Sequence, residues 1–305
     1  MAQNSGAPRV FGVAVTYERA AVLRATLHEI SRQTESVQSV VVVDNGSKNL
    51  ADVVAREAGA TYVRAGTNLG PAGGYALGVR HLFDAKIVDD RDWIMFIDDD
   101  DPPNTLDHVQ KLLAFSHSLQ SRMPVGCVGT VGARLGAAGR MVRLDDSLLH
   151  GPVDVDSIGN GMTPLYSAAA LRAVDFTFKD LFFGYEELAL GLAIKKAGFS
   201  VLADGDSWLN ERRRWGRLGL HDRASIVEHE APPWRRYYSA RNLVLIVREH
   251  RALTAAVVST ASVIAGGALA TWRTRRAAPL LSTLHGVAHA WLGIRGRTVE
   301  PGSKR

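Results

Sequence analysis

The chain has 305 residues, an apolar share of 46% and 22% charged residues, which excludes a disordered or fibrous protein and leaves room for one large domain or two modest ones. The formal net charge is +5, and the excess gathers in the C-terminal third at "ERRRWGRLG", "WRRYYSARN" and "WRTRRAAP", a pattern compatible with nucleic acid, an anionic membrane surface or an anionic substrate. The lone cysteine, Cys127, excludes an internal disulfide framework and a multi-cysteine metal site, and reads as a reducing compartment.

"MAQNSGAPRV" lacks the long apolar core of a secretion signal. "VFGVAVTY" is short, apolar and β-branched, the pattern of a buried strand. "RAAVLRATLHEISRQ" places Val22, Leu23, Leu27 and Ile30 at helical spacing. "SVVVVDNGS" is a second buried strand that ends in turn residues, and "NLADVVAREAG" is a helix with Gly59 near its stop. "ATYVRA" is a third strand. "NLGPAGGYALGVRHLFDA" is a glycine-rich loop running into a helix, and "DWIMFIDDDD" is a fourth strand. The alternation implies an α/β fold with a largely parallel sheet flanked by helices, in which ligands bind beyond the carboxyl ends of the strands.

That rule gathers the polar residues. Thr16, Tyr17, Glu18 and Arg19 follow the first strand. Asp44, Asn45, Gly46 and Ser47 follow the second, Asn68, Gly70, Gly73 and Gly74 the third, and Asp98 to Asp101 the fourth. Taken singly, each cluster has an ordinary explanation. "VDNGS" is turn chemistry, the glycines permit close packing, and four aspartates suit a solvated loop or a helix start. Mounted together at one sheet edge, four adjacent carboxylates repel one another unless a cation neutralises them, and metal–diphosphate binding accounts for the set. The glycines do not form a G-x-G-x-x-G turn after the first strand, so a dinucleotide site fits poorly.

"VAVTYER", "VVVVDNGS", "NLGPAGGYALGV" and "FIDDDD", in this order and spacing, resemble family 2 glycosyltransferases, over about residues 9 to 250. "NLGPAGGYALG" and "YYSARN" look like the bacterial branch of galactofuranosyl- and rhamnosyltransferases that build cell-envelope glycans. The resemblance implies the GT-A nucleotide-diphospho-sugar transferase fold. It implies a donor-binding and catalytic domain over residues 1–205, and an acceptor-side, helical, membrane-associated region over 206–305. It places Asp98 and Asp100 on a divalent metal, Mn²⁺ or Mg²⁺, with Asp99 or Asp100 near the donor sugar or ribose. Thr16 and Asp44 match positions that contact the nucleotide base, and Asn45 lies beside them. Arg19 reaches the diphosphate or ribose, while Asn68, Gly70, Gly73 and Gly74 border the nucleotide and sugar. The donor is UDP-galactofuranose or dTDP-rhamnose, and the acceptor a polyprenyl-diphosphate-linked glycan at the inner face of the cell membrane, with no nucleic acid involved.

In the second half, "YEELALGLAIKKAGF" keeps the shape of the family's base-bearing segment with changed letters. Glu187 falls at the general base and Glu186 precedes it, but Ala189 replaces a second acidic position. Both glutamates also suit a helix N-terminus, where the dipole favours them. Asn210 stands where the family often has a metal-binding His, with His221 and His229 downstream as substitutes if their loop folds back. Arg241 and Asn242 match an aromatic–Arg–Asn helix start, as a phosphate contact or as packing behind the donor site. "ALTAAVVSTASVIAGGALATW", residues 252 to 272, is long enough to span a bilayer, but its Ala, Ser, Thr and Gly content favours a buried or interfacial helix. The reaction implied is inverting: Glu187 deprotonates an acceptor hydroxyl that displaces the diphosphate in line. A non-catalytic relative that binds only nucleotide, and a nucleotidyltransferase, are the competing readings. A nucleic-acid-binding module leaves the aspartate edge unexplained.

Overall fold

The computed structural model describes residues 7–46, 51–159, 162–219 and 231–302. In chain order its first half contains β1 (Val10–Thr16), α1 (Ala20–Ser31), β2 (Val37–Asp44), α2 (Ala51–Glu57), β3 (Thr61–Arg64), α3 (Gly70–Asp84), β4 (Trp93–Asp98) and α4 (His108–Gln120). These elements match the expected alternation. Strands β1 and β4 are apolar on both faces because helices cover both sides of the sheet. On α1 the buried face is Leu23, Thr26, Leu27 and Ile30, whereas Val22, expected inside, is 39% exposed. Thr26 takes the inward position because its hydroxyl has a buried partner, the backbone carbonyl of Asp99 at 2.7 Å.

The second half contains β5 (Val125–Gly129), β6 (Gly132–Leu135), β7 (Met141–Val142), β8 (Pro152–Asp154), β9 (Ser157–Ile158), β10 (Leu165–Ser167), α5 (Ala168–Arg172), α6 (Glu186–Lys196), β11 (Ser200–Asp204), α7 (Gly205–Arg214), α8 (Pro233–His250), α9 (Leu253–Thr274) and α10 (Ala278–Trp291). The main sheet has the order β3-β2-β1-β4-β10-β5-β11-β8, and β7-β6-β9 form a small second sheet. Strands β3, β2, β1 and β4 are mutually parallel. The expectation of a largely parallel sheet therefore holds for the first half. The second half is mixed, since β10 runs antiparallel to both β4 and β5, and β8 antiparallel to β11. Strand β10 follows the short β-strands directly, without the crossover helix that a parallel entry requires.

Register sets up the site. Thr16 pairs with Asp44, and Val15 with Asp98, so the carboxyl ends of β1, β2 and β4 finish level at one edge. Helices α8 to α10 complete the core: Leu243 to Val247, Ala255, Ala256, Val287 and Ala290 belong to the same apolar cluster as Val13, Val41 and Phe96 of the sheet. Helix α9 passes the length and hydropathy of a membrane span, with 28% of its most apolar stretch buried. Its burial and that of α10 are one-sided, and they leave Leu253, Val257, Trp272, Leu281, Leu284 and Leu292 exposed.

Candidate active site

A cleft of about 700 Å³ opens at the level strand ends. Thr16, Arg19, Asn45, Asn68, Gly70, Asp98, Asp99, Asp100, Glu186 and Glu187 all line it. Residues from both halves of the sequence, the first placed by pattern and the second by resemblance, thus meet in one cavity.

The aspartates differ in environment. Asp98 accepts a hydrogen bond from the Tyr75 phenol at Oδ1, 2.6 Å away. Burial raises its pKa to about 6, against the Tyr75 bond and with help from the charges of Asp100, Asp99 and Asp101. Asp99 is 1% exposed and ties strand ends together. Its Oδ2 accepts from Thr16 Oγ1 at 2.6 Å, and its Oδ1 lies 2.6 Å from Arg19 Nη2 as an ion pair without hydrogen-bond alignment. Burial raises its pKa as well. Asp100 is half exposed and pairs with Arg19 Nη1. The cation that balances this edge within the protein is therefore Arg19, which bridges two neighbouring carboxylates.

The opposite wall comes from the start of α6. The turn before it is strained: Phe182, Gly184 and Tyr185 all have positive φ, at 66°, 81° and 65°. It packs against the loop entering α3. Gly70, itself at φ 68°, sits so close that a Cβ there would lie 1.9 Å from the Phe182 carbonyl oxygen. Asn45 closes the same junction, donating to Gly70 O at 3.0 Å and accepting from Leu69 N at 3.3 Å. Asn68 Oδ1 accepts from Gly70 N at 2.9 Å. Glu186 is buried, and burial, then the charges of Glu187 and Asp98, push its pKa well above the ordinary carboxyl value. Its Oε2 has no hydrogen-bond partner among the described residues. Glu187 is half-buried beside it. A buried carboxyl of raised pKa beside a second carboxyl that reaches the cleft is an arrangement suited to proton transfer.

Several expected residues lie elsewhere. Asp44 is buried beneath the cleft, where it accepts from the Tyr62 hydroxyl at 2.9 Å. Gly73 and Gly74 lie inside α3. A Cβ on Gly74 would meet Val15 Cγ1 at 2.6 Å, so this glycine admits the helix to the sheet rather than bordering the cleft. Arg241 and Asn242 are fully buried behind the cleft wall. Asn242 Nδ2 donates to the carbonyls of Leu181, Phe183 and Gly184 at 3.0, 2.9 and 2.8 Å, and Arg241 Nη2 donates to Leu181 O at 2.7 Å. They clamp the strained turn. Sequence reading missed the residues of α8 that do reach the cleft, Trp234 and Arg235 in its first turn, and Pro301 from the chain's C-terminal stretch. It also missed Tyr75. A tyrosine one turn into a glycine-rich helix that follows the third strand was the available signal.

Asn210 does not join the aspartates. Helix α7 buries Trp208 and Arg212, and Asn210, two residues or about 200° around from each, faces solvent, accepting from Arg213 Nη1 at 2.6 Å. His221 and His229 lie outside the described residues. Among the described residues no group of three or more His, Cys, Asp or Glu encloses a cation unaided. The donor set still fits a hard divalent ion. Mg²⁺ and Mn²⁺ accept one or two carboxylates together with phosphate oxygens from a substrate, and Asp98 and Asp100 present such a pair at an edge of excess negative charge.

Residues 13–145 match the profile of the family described as Glycosyl transferase family 2. The chain is 34% identical to "Galactofuranosyltransferase GlfT1" of Mycobacterium tuberculosis (strain ATCC 25618 / H37Rv) over 124 residues, which is 39% of this chain and 40% of the relative. It is 33% identical over 122 residues to the protein of the same name from Mycolicibacterium smegmatis (strain ATCC 700084 / mc(2)155), covering 39% of each. The chain therefore matches less than half the length of these curated relatives. Among solved structures, that of GalNAc-T7 with UDP, GalNAc and Mn²⁺ superposes with a TM-score of 0.53 at 12% identity, over 80% of this chain and 48% of that one, and shares the GT-A fold. Residues 13–145 thus resemble glycosyl transferase family 2, the likeness to galactofuranosyltransferases is confined to part of the chain, and the fold is GT-A.

Proposed function

We propose that the protein transfers a sugar from a nucleoside-diphosphate donor to a hydroxyl of a glycan acceptor, with inversion. The observation that carries this is the single cleft in which Asp98, Asp99 and Asp100 line one part and Glu186 and Glu187 another. The likeness to galactofuranosyltransferases favours UDP-galactofuranose as donor, ahead of dTDP-rhamnose. In this reading residues 1–205 bind the donor and carry the chemistry, and 206–305 serve the acceptor side.

Asp98 and Asp100 would hold a divalent ion, which when bound offsets charge on the departing diphosphate. Arg19 offers a guanidinium to the phosphates from the same wall. Thr16, Asn45 and Asn68 border the nucleotide. Phe182, Phe183 and Trp234 form an apolar wall that limits water at the anomeric carbon. Glu187 accepts the proton of the acceptor hydroxyl as its oxygen attacks opposite the diphosphate. Burial favours the protonated form of Glu186 and so disfavours a second charge beside it. The unpaired apolar faces of α9 and α10 and the adjacent Arg273, Arg275 and Arg276 support a peripheral site on an anionic membrane, where an acceptor glycan on a lipid carrier would be presented.

Calorimetry with UDP, dTDP and GDP, each with and without Mn²⁺, tests the reading. Cation-dependent binding of UDP or dTDP, lost in Asp98→Ala, is expected. Folded protein that binds none of the three with Mn²⁺ overturns it.

A further inference from the structure

Helix α10 carries His285 and His289 one turn apart, so the two imidazoles are neighbours on one face. Their Nε2 atoms lie 3.1 Å apart, with ring centroids at 4.3 Å and planes 74° apart. Two imidazole nitrogens this close need a positive group between them: a hydrogen carried by one ring, or a cation that accepts both lone pairs. The spacing suits the cation. With metal–nitrogen bonds of about 2.0–2.1 Å in a tetrahedral or octahedral shell, two ligating nitrogens lie about 2.9–3.3 Å apart.

The far side of His289 is held as a metal-binding imidazole requires. Its Nδ1 is 2.6 Å from the Oη of buried Tyr237 of α8, which is 2.7 Å from Thr298 Oγ1. Arg241 Nη1 donates to the same threonine oxygen at 3.3 Å. His289 Nδ1–H can thus donate to the phenol while the phenol donates to Thr298, and that tautomer leaves Nε2 free as a ligand. Burial, then the charges of His285 and Arg241, lower the His289 pKa, so the ring is neutral near pH 7. His285 is exposed and lines a cavity of about 670 Å³ together with Glu300. A cation at the pair is opposed by Arg241 and favoured by Glu300, whose ion pair with Arg297 lies at the surface and is weak.

We propose that His285 and His289 chelate a Zn²⁺ ion at a site separate from the aspartate edge of the cleft. Imidazole nitrogen selects zinc and its transition-metal neighbours, whereas carboxylate and phosphate oxygens select Mg²⁺ and Mn²⁺. Two protein ligands leave the remaining positions to water or to Glu300. The assignment does not rest on the transferase reading.

The test titrates Zn²⁺ into the purified, untagged full chain by calorimetry, with excess Mg²⁺ present to compete at the aspartates, and follows the thermal midpoint in parallel. The wild type binds zinc, and its midpoint rises with zinc concentration. His285→Gln, at an exposed position that the fold tolerates, removes one equivalent of bound zinc and cancels the rise. His289→Gln does the same. Tyr237→Phe, which takes away the partner of Nδ1, weakens binding about tenfold. Asp98→Ala leaves zinc affinity at the wild-type value. Wild-type protein that takes up no zinc overturns the proposal and assigns a shared hydrogen to the pair. Zinc binding that His285→Gln leaves unchanged also overturns it, as adventitious binding to other side chains. Zinc binding abolished by Asp98→Ala overturns it as well, and assigns the ion to the cleft.

Discussion

The phenol of Tyr75 donates to Asp98 Oδ1 at 2.6 Å, joining the glycine-rich helix α3 to the carboxyl end of β4. Tyr75 is fully buried and stacks on Phe96 of β4, with ring centroids 4.4 Å apart and planes 3° from parallel. Burial and the charge of Asp98 push the phenol's pKa far above its usual value, so it remains a donor. The bond fixes the rotation of the Asp98 carboxylate and leaves the second oxygen to the cleft.

Tyr75→Phe keeps the stack and removes this donor. Mn²⁺-dependent UDP affinity is expected to fall about tenfold, the scale of losing a group that orients a metal-binding side chain. The fold should lose only about 1 kcal/mol. Asp98→Ala and Asp100→Ala should remove the cation dependence altogether. Titration calorimetry reads all three, and wild-type affinity in Tyr75→Phe would refute the positioning role.

Asn242 acts on the same cleft from behind. Its amide serves three carbonyls of a turn with three positive-φ residues, two of them not glycine. Asn242→Ala strands buried acceptors and should cost about 2–4 kcal/mol. It should also lower turnover more than UDP affinity, because the turn delivers Glu186 and Glu187 while the proposed nucleotide contacts come from the ends of β1, β2 and β4. Denaturation curves and steady-state kinetics separate these effects. Equal losses in both would make the residue structural only.

The level strand ends were legible because each β-branched run terminates in polar residues, and parallel strands fed by helices must finish on one side. The aspartate edge lies where pattern placed it, and the glutamate pair, placed by resemblance alone, lines the same cleft. Burial of Asp44 and Gly74 was not legible, whereas packing of Arg241 and Asn242 behind the donor site was one of two readings that the sequence left open. A polar side chain reads as a ligand contact until its internal partner is known, and those partners are Tyr62 and the 181–184 carbonyls, distant in sequence. Asn210 failed for a different reason. Its helix was not read as a helix, so the outward turn relative to Trp208 and Arg212 went unseen.

The C-terminal helices should take the protein to anionic liposomes reversibly. Basic residues near an apolar face give attraction that falls as salt screens it. Co-sedimentation at low salt, reduced at high salt, is expected for the purified chain. Retention through both high salt and alkaline carbonate would show that α9 spans the bilayer.

Glu186 makes stability depend on pH. Burial, then the charge of Glu187, raise its pKa in the fold, so the protonated acid is the favoured folded form. Its stabilising contribution is complete below the ordinary carboxyl range and is lost as pH rises through the raised value. Glu186→Gln cannot ionise. The variant should therefore gain stability relative to wild type between pH 4 and pH 8, as measured by chemical denaturation at both. A constant difference across that range would contradict the assigned shift.

Glu187 carries the chemistry in this reading. It stands half-buried at the N-terminus of α6, beside a buried neighbour and against an aromatic turn, lining the same cleft as Asp98 and Asp100. Glu187→Gln preserves size and most hydrogen bonding but cannot take a proton. Donor affinity should stay near the wild-type value while turnover falls about a hundredfold or more, the scale of losing a general base. Glu186→Gln should cost less, because burial already favours the protonated form of that carboxyl. If Glu186→Gln is the inactive variant and Glu187→Gln turns over normally, the buried glutamate is the base, and its raised pKa is the property that makes it one. If both variants remain fully active, proton acceptance lies outside α6.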